Sequence, residues 1–246
     1  MALTDKVEIP RRTMVLFFVI DTSGSMDGSK IGAVNVAIEN VIPEIREVSD
    51  ENADAQIKIA ALEFSSGTRW ITPGGPIDAE QFRWNYLDAA GTTDLGSACK
   101  ALNEKLSTKA FMQEATGSFA PAIFLLSDGD PTDDWQGALT ALKQNNWFKA
   151  AVKVAIAIGD DANKDVLKEF TGTMEAVLET HNTAMLKKMI RFVSVRASQV
   201  ASKSSNVDAS GSTNAGDEQK QEELNTALNE LKDEIASSPD NDQTEW

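Results

Sequence analysis

Three oxygen-bearing side chains follow the first apolar segment of the chain at every second position. The segment Met14–Ile20 is apolar throughout, and the sequence then reads DTSGSM, in which Asp21, Ser23 and Ser25 alternate. Residues at this spacing can direct their side chains towards one point as the chain leaves a strand. A carboxylate with two hydroxyls could supply a nucleophile, surround a phosphate group or bind a cation.

The nucleophile interpretation requires a serine, an acid and a base in a recognisable order. Ser23 or Ser25, then Asp128 and the single histidine His181, occur in the chain order of an α/β-hydrolase triad. However, the G-x-S-x-G elbow is absent, and the first polar residue after the strand is Asp21 instead of a serine on a strained turn. The sequence therefore argues against serine hydrolysis.

Phosphate chemistry also lacks the residues that it needs. No G-x-x-x-x-G-K-[ST] loop occurs, which argues against a P-loop ATPase. A strand that ends in an aspartate is also typical of the haloacid-dehalogenase type of phosphohydrolase, in which a D-x-D pattern supplies a second carboxylate as acid and base. Here that second position is Ser23, so a Mg²⁺-dependent phosphohydrolase using Asp21 is an alternative that lacks its proton-transfer group.

A cation site fits these residue types best. Carboxylate and hydroxyl oxygens are hard ligands, which suit Mg²⁺, Mn²⁺ or Ca²⁺. Two more groups of oxygen donors occur later, in the loop AGTTDLG (residues 90–96) and at Asp128, directly after another apolar segment. The EF-hand pattern D-x-[DN]-x-[DN]-G is not met, so a calcium loop of that type is excluded.

The elements that must position these residues alternate between strand and helix. Three segments are apolar on both faces, as expected of covered strands, with Lys153 as the one charged residue among them: Met14–Ile20, Pro121–Leu126 and Val152–Gly159. Apolar residues recur at helical spacing over Ile31–Val48, Thr93–Leu106, Asp134–Asn146 and Thr183–Val200. The order predicts an α/β fold with a doubly wound, mostly parallel central sheet flanked by helices, which is a Rossmann-like arrangement. Because ligands of such sheets bind beyond the carboxyl ends of the strands, we expect Asp21 and Asp128 to be neighbours.

Composition limits the partners and the compartment. Acidic residues outnumber basic ones 38 to 23, which gives a net charge of -15 and argues against a nucleic-acid or anionic-membrane partner. The single cysteine, Cys99, excludes an intrachain disulfide. The apolar segment Met14–Ile20 is much shorter than the roughly 20 residues of a spanning helix. We therefore expect a cytoplasmic protein without a membrane partner.

Three motifs in order resemble the von Willebrand factor type A domain. They are DTSGSM after an apolar strand, GTTDLGSA in the middle and LLSDGDPTDDW later in the chain. The family pattern D-x-S-x-S, followed by a Thr and an Asp, forms its metal-ion-dependent adhesion site. Matched residue by residue, the resemblance implies metal ligands at Asp21, Ser23, Ser25, Thr93 and Asp128. The GDPTDDW ending and the hairpin sequence SSGTRWI are similar to the bacterial TerY-like branch, which is associated with tellurium resistance.

The resemblance implies a non-enzymatic, metal-dependent protein–protein interaction module. The expected ion is Mg²⁺, with Mn²⁺ or Ca²⁺ as alternatives, and the expected partner is a protein that presents an Asp or Glu side chain to it. Genes of this branch accompany protein kinases, phosphatases or AAA+ ATPases in bacterial stress-response systems, which makes those classes the expected partners.

Several nearby residues have a functional and a structural explanation. Asp27 and Lys30 could border the metal site, but a turn and a helix start are the favoured explanation. Asp130 and Asp133 are expected either to hold the ligands in place or to cap the following helix. Cys99 lies on the apolar side of its predicted helix and is expected in the core.

The composition changes after the predicted domain. We expect an N-terminal extension over residues 1–12, a type A domain over 13–200, a flexible Ser/Gly/Asn-rich linker over 201–217, an amphipathic helix over 218–237 and an acidic disordered end over 238–246. The helix has Asp217 as its expected N-cap.

The apolar side of this last helix consists of four aliphatic residues, Leu224, Leu228, Leu231 and Ile235. From residue 201 onward the chain has 11 acidic and 3 basic residues, which contributes -8 to the net charge. An isolated helix of this length is marginal in water, so a solvated helix is the favoured prediction. The alternatives are docking on the domain or on a partner, including a structural subunit held in a larger assembly by this helix.

Overall fold

The computed structural model describes residues 11–53, 55–113, 117–201 and 215–237. The strands are β1 (Arg12–Asp21), β2 (Ala55–Ser65), β3 (Gly67–Trp70), β4 (Ile77–Asp78), β5 (Ala122–Ser127), β6 (Val152–Ile158) and β7 (Val177–Thr180). The helices are α1 (Ser29–Glu51), α2 (Leu95–Lys105), α3 (Trp135–Leu142), α4 (Asn146–Ala150), α5 (Lys164–Thr171), α6 (Thr183–Ala201) and α7 (Ala215–Ala236).

The strands form one seven-stranded sheet in which β1 is central. The order is β3-β2-β1-β5-β6-β7, and β4 pairs with β2 beside this path. Strands β2, β1, β5, β6 and β7 are parallel, whereas β3 and β4 run antiparallel to β2. The predicted doubly wound, mostly parallel sheet is confirmed. Its strand β1 lies beside both β2 and β5, so the carboxyl end of β1 is next to the carboxyl end of β5.

The segment Met14–Ile20 of β1 is apolar at every position because each face of the strand contacts a separate core. Met14, Leu16, Phe18 and Ile20 belong to the core under α1 and α6, while Val15, Phe17 and Val19 belong to the core under α2, α3 and α5. These residues are all at most 1% exposed. A strand covered on both faces cannot show the alternation of a half-buried strand.

The prediction of one continuous helix over Asp134–Asn146 is wrong. The structure has α3 ending at Leu142 and the separate helix α4 beginning at Asn146. Asn145 causes the break, because its side-chain oxygen accepts hydrogen bonds from the backbone N–H groups of Trp147 and Phe148 at 2.8 and 3.3 Å. An asparagine that caps a helix in this way competes with continuation of the preceding helix.

Helix α7 begins at Ala215, three residues before the predicted start, so Asp217 lies inside the helix and is not its N-cap. The favoured prediction of a solvated helix is also wrong. The four aliphatic residues of α7 are at most 6% exposed and belong to the same core as α1 and α6. Helix α7 therefore docks on the domain, next to α6. Residues 202–214 of the predicted linker (201–217), residues 1–10 of the predicted N-terminal extension (1–12) and the predicted acidic end (238–246) lie outside the described residues.

The buried cysteine gives a simple test of the core. Cys99 is 1% exposed, and burial raises the pKa of its thiol to about 12, with the charge of Asp133 acting in the same direction. We expect the folded protein to resist alkylation by iodoacetamide at pH 8, because only the thiolate reacts. In guanidinium chloride, where the thiol pKa returns to about 8.5, labelling should be complete within minutes. Mass spectrometry measures the labelling. Stoichiometric labelling of the folded protein would contradict the burial of Cys99 in the core.

Candidate metal centre

Three loops meet at the carboxyl edge of the sheet. The first follows β1, the second precedes α2 and the third follows β5. The Gly24 N–H donates to the carbonyl oxygen of Gly91 at 3.0 Å, which joins the first loop to the second. The Thr132 N–H donates to the carbonyl oxygen of Thr93 at 2.8 Å, which joins the third loop to the second. The backbone thus holds the three predicted motifs together.

The first loop turns its oxygen atoms inward. Asp21 Oδ1 accepts a hydrogen bond from the Ser23 N–H at 2.9 Å, and the hydroxyls of Ser23 and Ser25 lie 3.0 Å apart. Asp21 and Ser23 are 0% and 1% exposed, whereas Ser25 is exposed to solvent. The cluster therefore has a buried carboxylate at its base and a hydroxyl at the surface.

Asp128 joins this cluster from the third loop. The Ser25 hydroxyl donates to Asp128 Oδ1 at 2.8 Å, across 103 positions of sequence. Asp128 is 3% exposed, so the site contains two buried carboxylates.

Thr93 approaches the cluster from the second loop, where it lies close to Gly129. A Cβ atom added to Gly129 would lie 3.3 Å from Thr93 Oγ1 and 3.5 Å from Asp21 Oδ2. The missing side chain at residue 129 therefore lets Thr93 and Asp21 come near each other. Thr93 is 6% exposed. The structure brings all five predicted site residues to one place.

Ser127, the last residue of β5, also contacts the cluster, which was not predicted from the sequence. Its hydroxyl donates to Asp21 Oδ2 at 2.6 Å, so both oxygens of that carboxylate have a hydrogen-bond donor. Burial raises the pKa of Asp21 above its ordinary value, although the hydrogen bonds from Ser127 and Ser23 oppose the shift. The position of Ser127 beside β1 was the available signal, because a polar residue that ends a buried strand needs a partner.

A lysine also contacts the cluster. Lys30 Nζ donates to Asp128 Oδ2 at 2.6 Å and to Asp161 Oδ1 at 3.2 Å. The sequence favoured the start of α1 as the explanation of Lys30, whereas the structure places Lys30 at the edge of the cluster, together with Asp161, which the sequence did not indicate. Asp161 reaches the site because β6, like β1 and β5, ends at this edge of the sheet.

The neighbouring acidic residues have structural roles. Asp133 accepts hydrogen bonds from the N–H groups of Gly96 and Ser97, both at 2.9 Å, so it caps α2 instead of the helix that follows it. Asp130 accepts a hydrogen bond from the side chain of Asn163.

The histidine lies apart from the serines. His181 Nδ1 is 2.5 Å from Asp160 Oδ1, but without the directionality of a hydrogen bond. Within the described ranges, no contact joins His181 to Ser23 or Ser25, and the oxygens of Asp128 face Ser25 and Lys30 instead. A serine-hydrolase triad is therefore not formed.

The donor set is mixed and fits a hard divalent cation. Across the described part of the chain, no group of three or more His, Cys, Asp or Glu side chains is placed to hold a metal ion. The cluster instead combines the carboxylates of Asp21 and Asp128 with three hydroxyls. Two buried carboxylates in one cluster carry an electrostatic cost that a divalent cation would remove. Oxygen donors of both kinds suit Mg²⁺, Mn²⁺ or Ca²⁺.

Several solved structures share the fold of this chain. The von Willebrand factor type A protein from Catenulispora acidiphila is 19% identical, with 76% of this chain and 43% of that chain covered and a TM-score of 0.57. The vWF domain of the type V pili tip protein Mfa5 from Porphyromonas gingivalis is 10% identical, with 81% and 99% covered and a TM-score of 0.57. A zinc-occupied MIDAS motif is present in proximal thread matrix protein 1 from the mussel byssus, which is 15% identical, with 76% and 48% covered and a TM-score of 0.56.

These likenesses show the fold, since the identities are all below 25%. The chain spans less than half of the length of the Catenulispora and mussel structures. Among curated protein sequences, no relative matches this chain. The family profile of the von Willebrand factor type A domain matches residues 16–192, which is well over half of the chain. The chain therefore belongs to the von Willebrand factor type A domain family.

Proposed function

We propose that this protein is a metal-dependent protein–protein interaction module without catalytic activity. A divalent cation, Mg²⁺ or alternatively Mn²⁺ or Ca²⁺, is held by the residues Asp21, Ser23, Ser25, Thr93 and Asp128. A partner protein then binds the cation through an Asp or Glu side chain. The observation that carries this proposal is the convergence of these five oxygen-bearing side chains from three loops, with Ser25 at the solvent-exposed side.

The charges of the donor set explain why a carboxylate would bind. Mg²⁺ takes six oxygen donors, and the chain offers two anionic and three neutral ones. Neutral hydroxyls compensate little of the cation's charge, so an incoming carboxylate gains a strong interaction there. A divalent ion also reverses the sign of the local field, which otherwise repels an acidic partner from a chain of net charge -15. The zinc-occupied site of the mussel protein supports a divalent ion in this fold.

The two alternatives gain no support. A phosphohydrolase would need Asp21 as an accessible nucleophile, but this carboxylate is 0% exposed and both of its oxygens accept hydrogen bonds. A structural subunit held by the last helix would need the apolar side of α7 for its partner. That side is buried in the core of its own domain.

The cellular role is proposed from the motifs. We place the module as a scaffold in a bacterial stress-response system of the TerY-like, tellurium-resistance type, with a protein kinase, a phosphatase or an AAA+ ATPase as partner. A cytoplasmic location agrees with the single, buried cysteine. Within the described residues, none of the helices combines the length and the apolar character needed to cross a bilayer.

Calorimetric titration with Mn²⁺ and Mg²⁺ tests the proposal directly. We expect the wild-type protein to bind one ion, and Asp128→Ala to weaken binding by about 100-fold or more because one of its two anionic donors is lost. Asp27→Ala is the matched control, since Asp27 is an exposed acidic residue of the first loop outside the donor set. An equal loss of affinity in both variants would indicate a general field effect and contradict the assigned ligands.

The partner requires a second measurement. We expect affinity purification in Mg²⁺ to recover a protein that is lost with EDTA and with Asp128→Ala, but retained with Asp27→Ala. Recovery of the same protein by Asp128→Ala in Mg²⁺ would contradict metal-dependent docking.

A further inference from the structure

The ammonium group of Lys30 is built into the edge of the proposed metal site. Its Nζ atom lies 2.6 Å from Asp128 Oδ2 and 3.2 Å from Asp161 Oδ1. The side chain of Lys30 is 12% exposed and that of Asp128 is 0% exposed, whereas that of Asp161 is 77% exposed. The contact with Asp128 is therefore a largely buried ion pair, unlike an ordinary surface salt bridge.

The fold makes room for this lysine. Lys30 lies in the first turn of α1, and its side chain passes over Gly159, the residue that follows β6. A Cβ atom on Gly159 would lie only 3.0 Å from Lys30 Cε and 3.1 Å from Lys30 Nζ. Gly159 also has a φ of 94°, a conformation that a residue with a side chain rarely adopts. The backbone conformation thus favours glycine at residue 159, and the absence of a side chain there leaves room for Lys30.

Asp128 divides its two oxygens between different partners. Oδ1 accepts from the Ser25 hydroxyl and faces the donor cluster, while Oδ2 accepts from Lys30. Lys30 is therefore adjacent to the cluster without taking the oxygen that faces it. A cation and Lys30 can share this carboxylate.

We infer that Lys30 sets the charge of the metal site, weakening its affinity for the cation and strengthening the affinity of the bound cation for a partner's carboxylate. This inference rests on the proposed function. Lys30 is a positioning and charge-setting residue, because it acts through Asp128.

Formal charges show the direction of both effects. Asp161 is largely exposed and solvent screens its charge, so only the buried groups are counted. Asp21 and Asp128 give the cluster a charge of two negative units, which Lys30 reduces to one. A bound divalent cation would leave a site without Lys30 neutral, but leaves the observed site with one positive unit. Attraction between a positive site and an incoming carboxylate is strong where solvent is largely excluded. The lysine thus lowers the site's attraction for the cation and raises its attraction for the carboxylate.

The exposed acidic residues around the site explain why a positive charge at Lys30 would favour a partner's carboxylate. Asp27, Asp130, Asp160 and Asp161 are all exposed in the loops at this edge of the sheet. They repel an acidic side chain that approaches the metal. A residual positive charge at the cation opposes that repulsion at short range, where salt screens least.

The test compares Lys30→Met with wild type by Mn²⁺ titration and by acetate titration of the Mn²⁺-loaded protein. Acetate binding is followed by water-proton relaxation, which falls when a carboxylate displaces water from the metal. We expect Lys30→Met to bind Mn²⁺ about tenfold more tightly and acetate at least severalfold more weakly, because one positive charge beside the site is removed. Lys143→Met is the charge-matched control, since Lys143 pairs with the exposed Glu169 and should leave both affinities unchanged.

Lys30→Arg keeps the charge and guards against a folding defect in Lys30→Met. We expect its Mn²⁺ affinity to stay within about threefold of wild type. Equal or weaker Mn²⁺ binding by Lys30→Met, or tenfold tighter binding by Lys30→Arg as well, would overturn the role of the charge. Failure of the wild-type protein to bind Mn²⁺ at all would instead overturn the proposed function, and with it this inference.

Discussion

Asp21→Asn is expected to raise the free energy of unfolding in EDTA by about 1–2 kcal/mol and to abolish the stabilisation by Mg²⁺. Asp21 is fully buried, and burial raises the pKa of its carboxyl, which means that the folded protein carries the ionised form at a cost. Asparagine has nearly the same shape and no charge, so the variant avoids that cost. The same change removes one of the two anions that would hold the cation.

The hydrogen bonds around residue 21 are compatible with asparagine. The amide oxygen can accept from the Ser23 N–H as Asp21 Oδ1 does, and the amide nitrogen can donate to the Ser127 hydroxyl, which now accepts. However, the Ser127 oxygen already accepts from the Gly129 N–H at 3.2 Å, and the Ser127 hydrogen loses its acceptor at residue 21. That loss costs about 1–3 kcal/mol, which is less than the several kcal/mol of an uncompensated buried charge, so a net gain of about 1–2 kcal/mol is expected.

The difference in stability between Asp21→Asn and wild type in EDTA should depend on pH. The folded-state pKa of Asp21 is above 3.8, its value in the unfolded chain, so protonation favours the folded state. That contribution is fully present below pH 3.8 and is lost as the pH rises through the folded-state pKa. The excess stability of Asp21→Asn over wild type should therefore grow with increasing pH in this range, as measured by urea unfolding at a series of pH values.

In Mg²⁺ we expect the reverse effect, since the ion should stabilise the wild-type protein but not Asp21→Asn. A ligand at 100 times its Kd stabilises the folded state by about 2.7 kcal/mol, which should appear as a higher Tm in the wild type only. Asp27→Asn is the matched control, because Asp27 is exposed and should keep the response to Mg²⁺. A destabilised Asp21→Asn in EDTA, or an undiminished Mg²⁺ response, would contradict the account of this carboxylate.

The central sheet and four of the five proposed ligands could be predicted because their signals are local, whereas Thr93 was implied only by the resemblance to the family motif. Met14–Ile20 is apolar at every position, as expected of a strand covered on both faces, and Asp21 follows it directly. Parallel strands that end at one edge then place Asp128 beside Asp21 without any knowledge of side-chain contacts. Ser23 and Ser25 follow from their spacing along the same loop.

The contacts of Lys30 could not be predicted in the same way. Lys30 is 98 positions from Asp128 and 131 positions from Asp161, and nothing in the local sequence marks either pair. The pairing depends on where α1 begins relative to the ends of β5 and β6. A lysine in the first turn of a helix is otherwise an ordinary solvated residue.

The break between α3 and α4 and the docking of α7 also could not be predicted from the sequence. Helical spacing continues through residues 134–146, but the Asn145 side chain also bonds the carbonyl oxygen of Leu106 and the side chain of Asn103, which only the folded chain brings near. The apolar side of α7 was visible in the sequence, yet the spacing of leucines does not say what covers them.

Helix α7 is held to the domain by polar contacts as well as by its apolar side. Gln221 accepts from the Lys153 N–H at 3.0 Å and donates to the Lys153 carbonyl oxygen at 3.3 Å, at the start of β6. Glu234 pairs with Lys188 of α6 at 2.8 Å. Lys232 donates to the carbonyl oxygen of Glu175 at 2.8 Å. These contacts fix both ends of the buried segment, although the family profile ends at residue 192.

Leu228→Ala is accordingly expected to lower the free energy of unfolding by about 2–5 kcal/mol, as for other fully buried leucines. Leu228 is 0% exposed in the core shared with α1 and α6. Glu230→Ala on the exposed side of the same helix is the matched control, with an expected change within about 0.5 kcal/mol. Urea unfolding followed by tryptophan fluorescence measures both.

Truncation of the chain after residue 201 should destabilise the domain by more than Leu228→Ala, because it exposes the whole surface that α7 covers. Loss of a partner after such a truncation would therefore reflect damage to the domain and would not show that the tail itself binds the partner. If Leu228→Ala instead unfolds with the wild-type midpoint, α7 does not contribute to the cooperative core, and its apolar side becomes available for another protein.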